Sequence, residues 1–242
     1  MLSFIVPAHN EERWIGKCLG SIRATMEKVA EPYEVIVVDD ASTDATSKIA
    51  EQMGVRPLRV AHRRISTVRN AGARAARGQM LFFVDADTQV NERAISAALR
   101  AVRSGAAGGG CIPALEGAIP LWGRIIHSIA CVLGRLIRLV GGCFLFCTRE
   151  AYTATGGFSE SLYAGEDIAF VQALKKVGSF VVLKPTVVTS ARKLDVAGPW
   201  EVMGLMLKIA IRGARYENEW VFDLLYGRRA QDSKKPRLCE KG

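Results

Sequence analysis

Short, almost uninterrupted apolar runs alternate along this chain with longer segments whose apolar residues recur at helical spacing, a pattern that predicts βαβ units. Three runs stand out: Ser3-Phe4-Ile5-Val6, Val35-Ile36-Val37-Val38 and Met80-Leu81-Phe82-Phe83-Val84. None alternates apolar with polar positions, so each reads as a strand of a parallel sheet covered by helices on both faces. Between the first two, Trp14, Ile15, Cys18, Leu19, Ile22, Met26 and Val29 recur at helical spacing and would bury one face of a crossover helix. Ser42 or Thr43 is placed to cap a second helix that runs towards Gln52 and ends at Gly54. Asn91 is placed to cap a third, Glu92 to Arg103, which Gly105 ends. A fourth helical run carries Ile168, Val171, Leu174 and Lys175 and ends at Gly178. At 242 residues and 49% hydrophobic content, one large core is favoured over two small ones. The expected fold class is therefore α/β, a Rossmann-like, mostly parallel central sheet flanked by helices, with residues 1–227 as one domain and 228–242 as a basic, mobile tail.

Each of the three strands ends in polar residues, and ligands of open parallel sheets bind outside the carboxyl ends of the strands. The first is followed by Pro7-Ala8-His9-Asn10-Glu11-Glu12, the second by Asp39-Asp40 and the third by Asp85-Ala86-Asp87. A single acid in such a place reads equally well as a turn residue or a cap. Three sets on consecutive strands would meet in one crevice and repel one another unless something cationic sat between them. In Asp85-Ala86-Asp87 the two acids point to the same side of extended backbone. Oxygen ligands at that spacing suit Mg²⁺ or Mn²⁺, which keeps positions open for phosphate oxygens. The motif alone is common by chance, and its place after a buried strand is what gives it weight. Arg69, Arg74 and Arg77 precede that strand, either as cations near a diphosphate or as a solvated helix face. Gly165-Glu166-Asp167 opens the last helical run, where acids in the first turn favour the helix dipole.

Taken together, IVPAHNEE, VVDDASTD, RNAGARAARG, FVDAD and GGF followed by YAGEDIAF, in that order, resemble an inverting family 2 glycosyltransferase of the GT-A fold, over roughly Leu2 to Lys193. The resemblance implies a nucleotide-binding half, 1–112, and an acceptor half, 113–227. It implies that Pro7, Ala8 and Glu11 line a nucleoside pocket, that Asp40 reads a uracil edge supported by Asp39, and that Arg69 and Asn70 close over base and ribose. Asp85 would lie near ribose and metal, Asp87 would be the direct metal ligand, Asp167 the base and Glu166 its neighbour in the acceptor site. The donor would be a nucleotide sugar, a UDP-sugar rather than a GDP-sugar, and the acceptor a hydroxyl compound. Two stretches depart from the family pattern. Gln172-Ala173-Leu174-Lys175-Lys176 stands where processive members carry QxxRW, which implies transfer of single sugars. Thr189-Ser190-Ala191-Arg192-Lys193 lacks the late metal ligand, leaving Arg192 and Lys193 as phosphate contacts.

Charge and cysteine usage add the surroundings. A net charge of +9 suits an anionic partner. Dispersed basic residues without interleaved aromatics argue against nucleic acid. A GxGxxG turn and a phosphate loop are both missing, which excludes the common dinucleotide enzymes and NTPases. A sugar nucleotidyltransferase lacks its usual Gly-rich opening here, while a non-catalytic sugar-nucleotide binder stays open. Six scattered cysteines without a CxxC pair, and no signal-peptide core, point to the cytoplasm. His9, His62 and His127 share no zinc spacing. In Leu121 to Val140 a stripe of Arg124, His127, Ser128, Cys131, Arg135 and Arg138 faces a wide apolar arc, and 200–215 repeats the pattern with Lys208, Arg212 and Arg215. Three readings stay open for these amphipathic helices: packing on the sheet with the arginines in water, a homodimer contact, or the inner face of an anionic membrane, with a lipid-linked acceptor.

Overall fold

The computed structural model describes residues 1–117, 119–162 and 165–191; the segment 200–215, the tail 228–242, Arg192 and Lys193 lie outside them. The chain runs β1 (Leu2–Ala8), α1 (Ile15–Val29), β2 (Tyr33–Asp40), α2 (Thr46–Gln52), β3 (Leu58–Val60), α3 (Ile65–Ala75), β4 (Met80–Val84), β5 (Thr88–Gln89) and α4 (Glu92–Arg103). It continues with β6 (Ala106–Cys111), β7 (Ala114–Glu116), α5 (Leu121–Leu136), β8 (Phe144–Thr148), α6 (Arg149–Thr155), α7 (Glu166–Val177), β9 (Ser179–Leu183) and β10 (Val188–Ser190). Seven strands form one sheet in the order β3-β2-β1-β4-β8-β6-β9, and β5, β10 and β7 form a small second sheet. In the large sheet β8 alone runs against its neighbours. The mostly parallel sheet is thus as expected, and the two halves of the chain share it, since β8 of the second half lies between β4 and β6.

The uninterrupted apolar runs are explained by cores on both faces. Phe4, Val6, Phe82 and Val84 point to one face and pack with Phe144 and Phe146 beneath α1 and α4. Ile5, Leu81 and Phe83 point to the other and meet α3, α6 and α7. Phe4 stacks on Phe82 with ring centroids 4.8 Å apart, and Phe158 on Phe170 at 4.1 Å. Asn91 caps α4 as expected, its Oδ1 accepting from the Ala94 N–H at 3.0 Å. Ser42 and Thr43 do not cap α2. The Ser42 Oγ accepts from the Asn10 N–H, and the Thr43 N–H and Oγ1 donate to Asn10 Oδ1, so both side chains are spent joining the ends of β1 and β2. β6, with the sequence AAGGGC, has poor strand propensity. It is a strand because its neighbours leave no room for side chains: a Cβ on Gly110 would lie 2.7 Å from the Phe144 carbonyl and from Val140 Cγ2.

Gly72 shows how closely α3 sits on the sheet. A Cβ there would collide with Ile5 and stand 2.9 Å from Val38 Cγ2. Overpacking of this kind costs about 1–3 kcal/mol, so Gly72→Ala is expected to lower Tm by at least about 3 °C. An unchanged Tm in a thermal melt would mean that α3 can back away from β1 and β2.

Candidate active site

The carboxyl ends of β1, β2 and β4 lie side by side, Ala8 paired with Asp39 in register. Because β8 is antiparallel, its beginning rather than its end reaches this edge. Gly142 and Cys143 therefore stand beside Asp85, whose N–H donates to the Cys143 carbonyl at 3.0 Å. α7 starts here too, with Glu166 and Asp167 in its first turn. Asn10, Ala41 and Arg63, just past β1, β2 and β3, have φ of 54°, 54° and 55°. Left-handed backbone is unfavourable for Ala and Arg, and strain of this sort gathers at functional sites.

Arg69 is the centre of the arrangement. Its side chain, 2% exposed, donates from Nη1 to Glu166 Oε1 at 3.0 Å and from Nη2 to Asp85 Oδ1 at 2.9 Å. Nη2 also donates to the Gly142 carbonyl at 3.1 Å. The Gly142 N–H in turn donates to Asp167 Oδ2 at 2.7 Å. A side chain at residue 142 is excluded, because its Cβ would lie 2.8 Å from Arg69 Nη2 and 3.0 Å from Asp167 Cβ. The guanidinium also stacks over the Phe158 ring, 5.2 Å from its centroid. The cation demanded by the clustered acids is thus supplied in part by the protein itself, and a metal is not the sole answer to their repulsion.

Among the other expected residues, Pro7 and Ala8 are buried at the end of β1. Asp40 Oδ1 accepts from the backbone N–H groups of His62 and Arg63 at 2.7 and 3.0 Å. Asp39 accepts from Ser42 N and Ser47 Oγ, facing α2 and a cavity of about 330 Å³. Asp87 is 5% exposed, and Thr189 Oγ1 donates to its Oδ1 at 3.3 Å. Burial and the charges of Asp87, Asp85 and Glu11, in that order, push the Cys18 thiol far above its usual range, which marks the three acids as neighbours. Asn70 is engaged with α6 and the segment that follows it. Its amide donates to the Phe158 carbonyl and Glu160, and its Oδ1 accepts from Tyr152 Oη and Phe158 N–H. Arg69 is buried and holds carboxylates. Arg74 and Arg77 are exposed and pair with Glu160 and Glu34, away from the acids.

The fold therefore unites Glu11, Arg69, Asp85, Asp87, Glu166 and Asp167 along one edge. Gly142 and Thr189, which bond Arg69, Asp167 and Asp87 here, are not singled out by the sequence reasoning, though a Gly141-Gly142 pair directly before an apolar run was a usable signal. Among the described residues no three His, Cys, Asp or Glu side chains converge as a metal cage. The pair Asp85 and Asp87 still fits Mg²⁺ or Mn²⁺, which takes one or two carboxylates and completes its shell with phosphate and water.

Comparison with known proteins agrees with this geometry. The model of glycosyl transferase family 2 matches residues 3–134. An uncharacterized glycosyltransferase of Bacillus subtilis, EpsJ, is 36% identical over 97 residues, which are 38% of this chain and 27% of that protein. This chain thus matches only about a quarter of that relative's length. The crystal structure of Staphylococcus aureus TarS 1–349 in complex with UDP-GlcNAc superposes with a TM-score of 0.61 at 21% identity, covering 98% of this chain and 76% of that one. The mannosyltransferase PcManGT from Pyrobaculum calidifontis, in complex with GDP-Man and Mn²⁺, gives 0.63 at 17% identity, covering 97% and 76%. These likenesses establish the GT-A fold.

Burial and the adjacent Asp167 charge raise the Glu166 carboxyl from 4.5 to about 7, against the pull of Arg69. Since the folded value lies above the unfolded one, the stability this group contributes is full below pH 4.5 and is lost as pH rises towards 7. Glu166→Gln lacks that loss. Its stability relative to the native chain is expected to climb as pH rises between these limits. Urea melts across this range check it, and a flat difference would place Glu166 in the ionised form throughout.

Proposed function

The chain belongs to glycosyl transferase family 2, and on that premise we propose that it is an inverting, non-processive glycosyltransferase that moves one sugar from a UDP-sugar to an acceptor hydroxyl. The observation that carries the reading is the joining of the donor-side acid Asp85 to the acceptor-side acids Glu166 and Asp167 through Arg69 and the Gly142 peptide. In this reading the nucleoside lies over Pro7, Ala8 and Glu11, with Asp40 at the base and Asp39 fixing the β2 end. Uridine is favoured because TarS and a mycobacterial glucosyl-3-phosphoglycerate synthase are held with UDP. Asp87, with Asp85 beside it, would hold Mn²⁺ or Mg²⁺, which when bound neutralises the charge of the departing diphosphate. Arg192 and Lys193 are proposed as further phosphate contacts.

Asp167 accepts the acceptor's proton as the hydroxyl oxygen attacks the anomeric carbon from the face opposite the leaving nucleotide, so no covalent enzyme intermediate forms. Two N–H groups hold that carboxylate, Gly142 on Oδ2 and its own helix at Ile168 on Oδ1, at 2.7 and 2.8 Å. Asp167 is only half-buried, unlike Glu166, and so can meet an entering hydroxyl. Glu166 keeps Arg69 in place and leaves the proton transfer to its neighbour.

Asp167→Asn is expected to lower UDP release from a panel of UDP-sugars by about 10²-fold or more, while UDP with Mn²⁺ still raises Tm as in the native chain. Unchanged turnover would remove Asp167 as the base. Asp87→Asn is expected to do the reverse on the binding side, abolishing the extra stabilisation that Mn²⁺ adds to UDP. Stabilisation that persists in this variant would place the metal elsewhere.

A further inference from the structure

The apolar arc of α5 does not pack on the sheet. Leu121, Ile125, Ile129, Val132, Leu133 and Leu136 are between 52% and 74% exposed, and in α5 only Gly123 is buried. At 100° per residue these six span an arc of roughly 120°. The opposite side, with Gly123, Ala130 and Gly134, lies against the protein, where Gly134 approaches the Leu139 carbonyl. Packing inward with the arginines in water is therefore excluded for this helix. A contiguous apolar face of this size on a soluble surface marks an interaction site.

We infer that this face of α5 docks on an anionic phospholipid membrane. Arg124 and Arg135 are exposed along one flank of the arc and Arg138 just beyond its end, and no acidic residue occurs between Glu116 and Glu150. A two-fold contact with a second copy would pair this patch with itself and so offer no carboxylate to its basic flank, because an isologous interface is made of the same surface on both sides. An anionic leaflet complements both the apolar arc and its basic flank, as interfacial helices do. No described helix is long and apolar enough to cross a membrane, so the contact lies in the plane of the surface. The position also has a consequence for the site. Lys175 of α7 donates to the Ile137 carbonyl at the end of α5, and five residues later Gly142 holds Asp167. Docked in this way, the base stands close to the lipid surface, which assigns a lipid-borne hydroxyl as the acceptor. That assignment rests on the transfer reading, whereas the docking itself does not.

The test is flotation of the full chain with vesicles of phosphatidylcholine, alone or mixed with phosphatidylglycerol, at low salt. Binding is expected to the mixed vesicles only and to weaken at least tenfold at about 0.5 M salt. Brominated lipid should quench the fluorescence of Trp122, an effect that Trp122→Phe removes. Ile129→Glu combined with Leu133→Glu should abolish flotation at unchanged Tm, and Arg124→Gln with Arg135→Gln should abolish the preference for the anionic lipid. A chain that stays in solution with both vesicles overturns the proposal. So does a dimer that the two glutamates split, which gives the face to a second copy, or a Tm lowered by several degrees in that variant, which gives it to other residues of this chain. Turnover of UDP-sugar by the same variant without vesicles reports separately on the transfer reading.

Discussion

A guanidinium leaves water without a large penalty only where carboxylates and carbonyls meet its N–H groups in their own plane. Arg69 is such a case, with Asp85, Glu166 and the Gly142 carbonyl around it and Phe158 beneath. The constraint works in both directions. Asp85 and Glu166 could not share this edge with Asp167 as ions without the cation, and the cation could not be buried without them. Burial first, and then the charge of Asp167, pushes the Glu166 carboxyl upward against the pull of Arg69, so the most buried of these acids is the one drawn towards its neutral form.

The sheet is what makes the balance possible. Parallel β1, β2 and β4 bring Glu11, Asp40 and Asp85 to one edge, and the reversal of β8 brings the start of a strand, with its Gly142 peptide, to the same place. Gly142 then relays in two directions, its carbonyl to Arg69 and its N–H to Asp167, so that Asp85 and Asp167 are fixed relative to each other by the two peptide units that meet at one glycine. This needs a residue without a side chain, and the sequence provides one. α5 leads through residues 137–141 to that glycine, which ties the exposed apolar face to the acidic edge.

Much of this was legible in the chain before any coordinates. Runs such as Met80 to Val84, continuous because they are buried on both faces, marked three strands, and Asn91, Gly54 and Gly105 marked helix limits by their own backbone chemistry. The acids after those strands marked the crevice. What was not legible depends on contacts distant in sequence. β6 has no propensity to be a strand and becomes one only between β8 and β9. Asn70 resembles a ligand contact in its motif, yet its amide is used to fasten the loop at Phe158. Arg69, Arg74 and Arg77 look alike along the chain. Only the pairing of β4 with β8 turns the first into a buried hub and leaves the others on the surface.

The central claim, that the buried Arg69 holds the acids of both sides together, is tested most directly by a double-mutant cycle in urea unfolding with Arg69→Met, Glu166→Gln and both. Removing Arg69 alone strands buried carboxylates and should cost about 3–5 kcal/mol. Neutralising Glu166 as well should recover part of that loss, a coupling of at least about 1 kcal/mol. If the two effects simply add, the acids are not held by Arg69 and the account of the site fails.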